Sequence, residues 1–204
     1  RLRNIMSKIL IEHRAGNLNS SYGIVFGNSE VGNIMSKTQS AMIALGYELE
    51  RYIRDNCPID GIEFKKRIDI EGQKRRIEPD FFYDDGSTIH VGEIKFGKVF
   101  DTKKSGGEIE NLYKLKRKFE NEGREVELYF CSYMAPNEME VINGLKGRAT
   151  NDINVLYGPV FFDWFDIDYN AFEEKMKDVQ KANWDYFYNA INEIKLQMES
   201  LGFS

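Results

Sequence analysis

The chain has 204 residues, 42% of them hydrophobic and 30% charged, enough to bury a full core and ordinary for a single domain. No run of about 18 apolar residues occurs, which argues against a helical membrane span, and two cysteines with two histidines leave no structural zinc site. The net charge of −5 excludes a uniformly basic nucleic-acid binder, but it is uneven: residues 138–204 are net −6, residues 1–137 net +1, and Lys95–Lys118 net +5.

Cys57 and Cys131 lie far apart and read as reduced thiols. No secretory signal pattern opens the segment, so a cytoplasmic protein is expected. From Arg1 to Arg14 basic and apolar residues mix, with Ile5 and Ile9 at helical spacing, and predict a short helix. Residues 15–23 are rich in Gly, Asn and Ser and read as a loop. Arg14, Asn17 and Asn19 there are able to contact DNA, and equally able to form a polar surface. Asn-Ile-Met-Ser-Lys occurs at 4–8 and again at 33–37, but the flanks differ, so no repeat architecture follows.

Residues 34–55 predict a helix with an apolar stripe of Met35, Ala41, Met42, Leu45, Leu49, Tyr52 and Ile53, closed by Pro58. Residues 59–76 predict a strand or strand pair turning at Glu71-Gly72. Pairing of 62–70 with 75–83 would bring Lys65-Lys66-Arg67 and Lys74-Arg75-Arg76 together, as phosphate contacts or as a charged edge that resists aggregation.

Between Ile77 and Gly97 two β-rich runs flank Asp84-Asp85-Gly86-Ser87. Asp-Gly favours a two-residue hairpin because Gly tolerates positive φ, so the turn is placed at Asp85-Gly86. That register sets Phe82 across from Ile89, Asp80 across from Val91 and Glu78 across from Glu93. Side chains repeat with period two, so Glu78, Asp80, Glu93 and Lys95 share one face. Asp80 and Glu93 become diagonal neighbours, roughly 7–8 Å apart and within reach of one ion.

Three carboxylates on one face need a proton or a cation among them, and oxygen ligands suit Mg²⁺. Lys95, one pleat from Glu93, is placed to orient a water or help deprotonate it. Metal, amine and room for a phosphate oxygen are the equipment of phosphodiester hydrolysis. The plainer reading is a solvated, charged hairpin face.

Lys98 to Ser105 reads as a basic loop, with Lys98, Lys103 and Lys104 as candidate DNA contacts, and Gly106-Gly107 as a flexible or closely approached point. Residues 108–122 predict an amphipathic helix with Ile109, Leu112, Tyr113, Leu115 and Phe119 inward. Val126–Tyr133 predicts a buried, parallel strand. A helix over 136–146, a short strand at Val155–Tyr157, an aromatic packing segment at Phe161–Phe165, and one or two helices from Asn170 to Leu201 complete the chain. The aromatics of that last stretch read as core or dimer contact. Asn137, Arg148 and Asn151 are also chemically able to read base edges.

Pro79-Asp80, twelve intervening residues, then Glu93-Ile94-Lys95 resemble the signature of the PD-(D/E)XK nuclease superfamily, whose best-known members are the type II restriction endonucleases. The resemblance implies that Asp80, Glu93 and the Ile94 carbonyl bind Mg²⁺ and that Lys95 acts on the attacking water. An early helix of that superfamily often carries a Gly and, shortly after, a Glu of the metal site. Glu50 fits the spacing from Gly46 better than Glu48, and Glu78 is a further candidate for a second ion. The implied fold is α/β: a central mixed sheet flanked by helices, with a restriction-endonuclease-like core over about 35–135 and a helical region over about 136–204, in one domain of 1–204. The implied function is a Mg²⁺-dependent, sequence-specific endonuclease acting on double-stranded DNA as a homodimer, leaving 5′-phosphate and 3′-hydroxyl ends. A junction resolvase, a repair nuclease, or a non-catalytic DNA-binding module of the same fold are the alternatives.

Overall fold

The computed structural model describes residues 21–97, 100, 102–148, 151–200 and 202. The helix expected over 1–14, and with it Arg14, Asn17, Asn19 and, further on, Lys98, lie outside the described residues. The rest falls into two compact units, one within Arg1–Arg51 and Asn170–Ser204, the other within Tyr52–Tyr169.

The first unit is helical. Ser21, Tyr22 and Gly23, expected in a loop, open α1 (Ser21–Phe26). Helix α2 (Ser29–Asn56) starts five residues earlier than its apolar stripe suggests. The reason is an N-cap: the Asn28 side-chain oxygen accepts from the backbone N–H groups of Glu30 and Val31 (2.9 and 3.1 Å), satisfying donors at the helix start. Leu49 is buried, but Met35 and Met42 of the expected stripe are exposed. Helix α6 (Tyr169–Ser200) is one uninterrupted helix. It buries Phe172, Met176, Val179 and Ala190 and exposes Trp184, Tyr188 and Ile191. Among the described residues no helix is long and apolar enough to cross a membrane.

The second unit holds a mixed five-stranded sheet in the order β1-β2-β3-β4-β5. Strands β1 (Glu63–Phe64), β2 (Phe81–Asp84) and β3 (Thr88–Lys95) form an antiparallel meander. Strands β4 (Glu125–Ser132) and β5 (Ile153–Tyr157) continue it in parallel. The pair expected over 59–76 is mostly irregular: β1 is two residues long, and the Ile68–Ile77 bridge resumes its register just before the turn at Glu71-Gly72.

Helices cover both faces, as the α/β reading expects. Helix α3 (Thr102–Asn121) joins β3 to β4, and α4 (Glu138–Gly144) joins β4 to β5. Ile109, Leu112 and Leu115 of α3 and Val141 of α4 share a core with Phe82, Val91, Leu128 and Phe130. On the other face α5 (Gly158–Trp164) and Phe165 bring aromatic rings to the sheet: Trp164 lies 4.9 Å from Phe81 and 5.0 Å from Tyr129, and Phe165 5.0 Å from Phe81. The segment expected to be a loop at 98–105 is helix from Thr102 onward, and Gly106-Gly107 lies within it. Burial of Ser105 on the phase of Leu112 extends the packed stripe of α3 backward, so tertiary contact overrides the helix-breaking tendency of the glycines.

The hairpin turn sits one residue later than predicted. Phe82 pairs with Val91 and Asp84 with Ile89, leaving Gly86-Ser87 as the central turn residues, with Gly86 at φ +94°. The cause is Asp85, whose carboxylate accepts from the N–H groups of Ser87 and Thr88 (2.8 and 2.7 Å). An Asp that bonds its own chain two and three residues on belongs at the start of a turn, not its centre. Each strand residue therefore meets a partner two positions from the expected one. A two-residue slip preserves faces, so the predicted sharing of a face survives while the pairing changes.

Gly92, opposite Phe81, is required by close approach. A Cβ there would stand 2.4 Å from the Phe81 ring and 2.8 Å from the Tyr129 Cβ. Gly92→Ala is expected to overpack the centre of the sheet and cost about 2–3 kcal/mol, read as a lowered urea midpoint with an unchanged slope.

Candidate active site

The charged cluster grows from the end of the central strand. On the α3 face of β3, Ile89 and Val91 are apolar and buried, and the next two residues on that face are Glu93 and Lys95. Extending the β2–β3 register one step beyond Phe81↔Gly92 sets Asp80 directly across from Glu93. The two carboxylates are thus opposed rather than diagonal, and both are buried, at 4% and 7% exposure.

Three kinds of group hold them. The Ile94 backbone N–H donates to Asp80 Oδ2 at 2.6 Å. The Lys65 ammonium pairs with Asp80 Oδ1 from the β1 side, with Lys65 in a left-handed backbone conformation at φ +56°. Lys95 Nζ lies 3.3 Å from Glu93 Oε2, 3.9 Å from Asp80 Oδ2 and 3.0 Å from Glu108 Oε1. Glu108 was not among the candidates read from the sequence. It lies on α3 in phase with Leu112, Leu115 and Phe119, and an acidic residue on an otherwise apolar helical stripe was the signal that could have found it.

Burial, and then the adjacent Asp80 and Glu108 carboxylates, hold the Glu93 carboxyl well above its usual range despite Lys95. Burial works against the Lys95 charge, but Asp80, Glu93 and Glu108 outweigh it and hold its ammonium above the ordinary value. Among the described residues no three His, Cys, Asp or Glu side chains are disposed to hold a metal as they stand, and Lys65 and Lys95 lie on the carboxylates. The donor chemistry nonetheless fits a hard divalent ion. Mg²⁺ commonly takes one or two carboxylates and keeps several waters, and Asp80 and Glu93 are two crowded carboxylates whose mutual repulsion such an ion would relieve. Glu108 Oε2 is buried without a hydrogen-bond partner.

The other sequence candidates are distributed differently. Glu78 is exposed and bonded to Arg67 at 3.0 Å. Glu48 is buried and 3.7 Å from Arg51, while Glu50 is half-buried; both belong to the first unit. Lys103 and Lys104 are in the first turn of α3, with Lys104 exposed. The basic triplets are largely spent on acids: Lys66 on Glu63, Arg67 on Glu78 and Arg76 on Asp69. So is the basic face of α3, with Lys114 on Glu110 and Lys118 on Glu122. The Asn137 side chain caps α4 through the Glu140 N–H. Arg148 lies over Gly106, where a Cβ would stand 3.2 Å from its Nε.

Comparison with known proteins gives the chain its family. The type II restriction enzyme HhaII of Haemophilus parahaemolyticus is 32% identical, over 63% of this chain and 69% of that one. The chain belongs to the type II restriction enzyme family. The small subunit of the heterodimeric restriction endonuclease R.BspD6I superposes with a TM-score of 0.38 and 11% identity, over 79% of this chain and 93% of that one. No family model matches the chain.

Burial of the carboxylate pair links stability to pH. With its folded pKa raised, Glu93 makes metal-free stability fall as pH rises from the unfolded carboxyl value, about 4.3, toward the folded one. Glu93→Gln removes that fall. In EDTA it is expected to melt about 2–4 °C above wild type at pH 7, with the gap closing toward pH 4, read by thermal melts across that range.

Proposed function

We propose that the chain is a Mg²⁺-dependent, sequence-specific endonuclease of double-stranded DNA. The observation that carries this is the opposition of Asp80 and Glu93 beside Lys95 at the end of a central strand, in a chain related to a type II restriction enzyme. Asp80, Glu93 and the Ile94 carbonyl would hold the ion. When bound, Mg²⁺ supplies charge for the scissile phosphate and lowers the pKa of a coordinated water.

The chain's own groups do the rest. Burial of the two carboxylates holds them in fixed rotamers against the sheet. Lys95 would orient the attacking water and offer its ammonium to the charge developing on the phosphate. Lys65, half-exposed beside Asp80, would be available to an arriving phosphate. Hydrolysis by an in-line water leaves 5′-phosphate and 3′-hydroxyl ends.

A homodimer is part of the proposal, because two strands of a symmetric site need two centres related by a two-fold. The exposed apolar residues Met42, Ile43, Tyr47, Trp184, Tyr188 and Ile191 offer surface for such a contact. A junction resolvase or repair nuclease with the same centre is the second reading, and the identity with HhaII favours the first.

Phage DNA incubated with wild-type protein and Mg²⁺ is expected to give discrete fragments. Asp80→Ala and Lys95→Ala should each lower the rate by about 10³-fold or more, and EDTA should abolish cutting. A smear lost in both variants would point to the second reading. No cutting of duplex, junction or single-stranded DNA by folded protein would overturn both.

A further inference from the structure

We propose that Glu108 is the positioning residue for Lys95, the carboxylate that keeps the ammonium in place once Asp80 and Glu93 are committed to a metal ion. The inference rests on the reading of Lys95 as the group that acts at the phosphate.

Among the described residues Lys95 has three carboxylate neighbours, and Glu108 is the nearest of them, at 3.0 Å against 3.3 Å for Glu93 and 3.9 Å for Asp80. The other two are the pair a divalent ion would occupy. An ion there withdraws both from Lys95 and repels the ammonium as well. Without a third anion the flexible lysine chain would swing toward solvent. Glu108 is carried by a different element, on the packed face of a 20-residue helix, so its position does not depend on the ion-binding strands.

The sequence cost of this carboxylate supports a role. Glu108 occupies a stripe position where Leu112 and Leu115 follow in phase, both fully buried. A residue there for packing alone would be apolar. A carboxylate on a buried face is costly unless paired, and Glu108 has one oxygen on Lys95 and the other buried without a hydrogen-bond partner. Its compensation in the structure is therefore Lys95. The charge balance among the described residues agrees: with every group ionised, Asp80, Glu93 and Glu108 face Lys65 and Lys95, one negative charge in excess. A divalent ion and one phosphodiester anion bring that cluster to neutrality, and without Glu108 it would be left positive, with Lys95 the charge most easily expelled.

The test uses Glu108→Gln, Glu108→Asp, Lys95→Ala and the double variant E108Q/K95A in the full chain. Steady-state cleavage of a duplex substrate gives kcat and KM. Binding of Mn²⁺ to the protein alone, read from the free-ion EPR signal, gives metal affinity, and thermal melts give stability.

E108Q is expected to lower kcat by ~10- to 100-fold, the usual effect of losing a group that orients a reacting one, with KM and Mn²⁺ affinity within about twofold of wild type. Glu108→Asp, which keeps the charge on a shorter arm, should recover part of the rate. The double variant should cut no more slowly than K95A and melt above it, because K95A alone strands the half-buried Glu108 carboxylate. An E108Q enzyme within about threefold of wild type, a rate loss that multiplies with K95A, or a main effect on Mn²⁺ affinity would each overturn the proposal. A wild type that cuts and is silenced by K95A but indifferent to E108Q sinks this inference alone. A wild type that cuts nothing takes the functional reading down with it.

Discussion

Two carboxylates held against each other inside a sheet are the constraint around which the second unit is arranged. Asp80 and Glu93 are opposed across β2 and β3, and neither reaches bulk water. Such a pair survives only with compensation from every side. It comes from Lys65 on the β1 side, from the Ile94 N–H within β3, and from Lys95, itself braced by Glu108 on α3. Removing any one element would leave a buried charge unpaired, so the meander and the crossover helix are tied together through this cluster as well as through the apolar core.

The rest of the sheet makes that cluster rigid. On the same face as Glu93, Val91, Leu128 and Phe130 pack on Leu112 and Leu115 with almost no exposure. On the opposite face Phe81, Tyr129, Trp164 and Phe165 form one aromatic layer, brought close by the absence of a side chain at Gly92. Interiors packed to this density hold side chains in single rotamers. A stabilised core and a strained charged end then sit on one strand, the familiar exchange of stability for a prepared site.

Positive charge is a less direct guide. The segment from Lys95 to Lys118 is strongly basic in sequence, yet Lys114 and Lys118 are paired along their own helix, and Lys66, Arg67 and Arg76 of the hairpin triplets each meet an acid nearby. Pairs of this exposed kind contribute little to stability and are readily exchanged for phosphate, so their presence neither removes nor proves a DNA-binding role. What the comparison adds is kinship with a type II restriction enzyme.

Much of this was legible in the sequence. Period-two alternation put Asp80, Glu93 and Lys95 on one face of a hairpin, and apolar periodicity located α2, α3, β4 and the mixed sheet. These are local properties, set by backbone geometry and by which residues avoid water. The sequence did not determine the register, because Asp85 takes the first position of the turn through its own backbone bonds, and alternation is blind to a slip of two. It did not determine where α3 begins, since Ser105 is buried by the sheet against the preference of two glycines. Nor did it single out Glu108: one acidic residue on an apolar stripe reads as an outlier until the folded chain sets it against Lys95, thirteen residues away, because a buried charge acquires its meaning only from the partner that three dimensions provide.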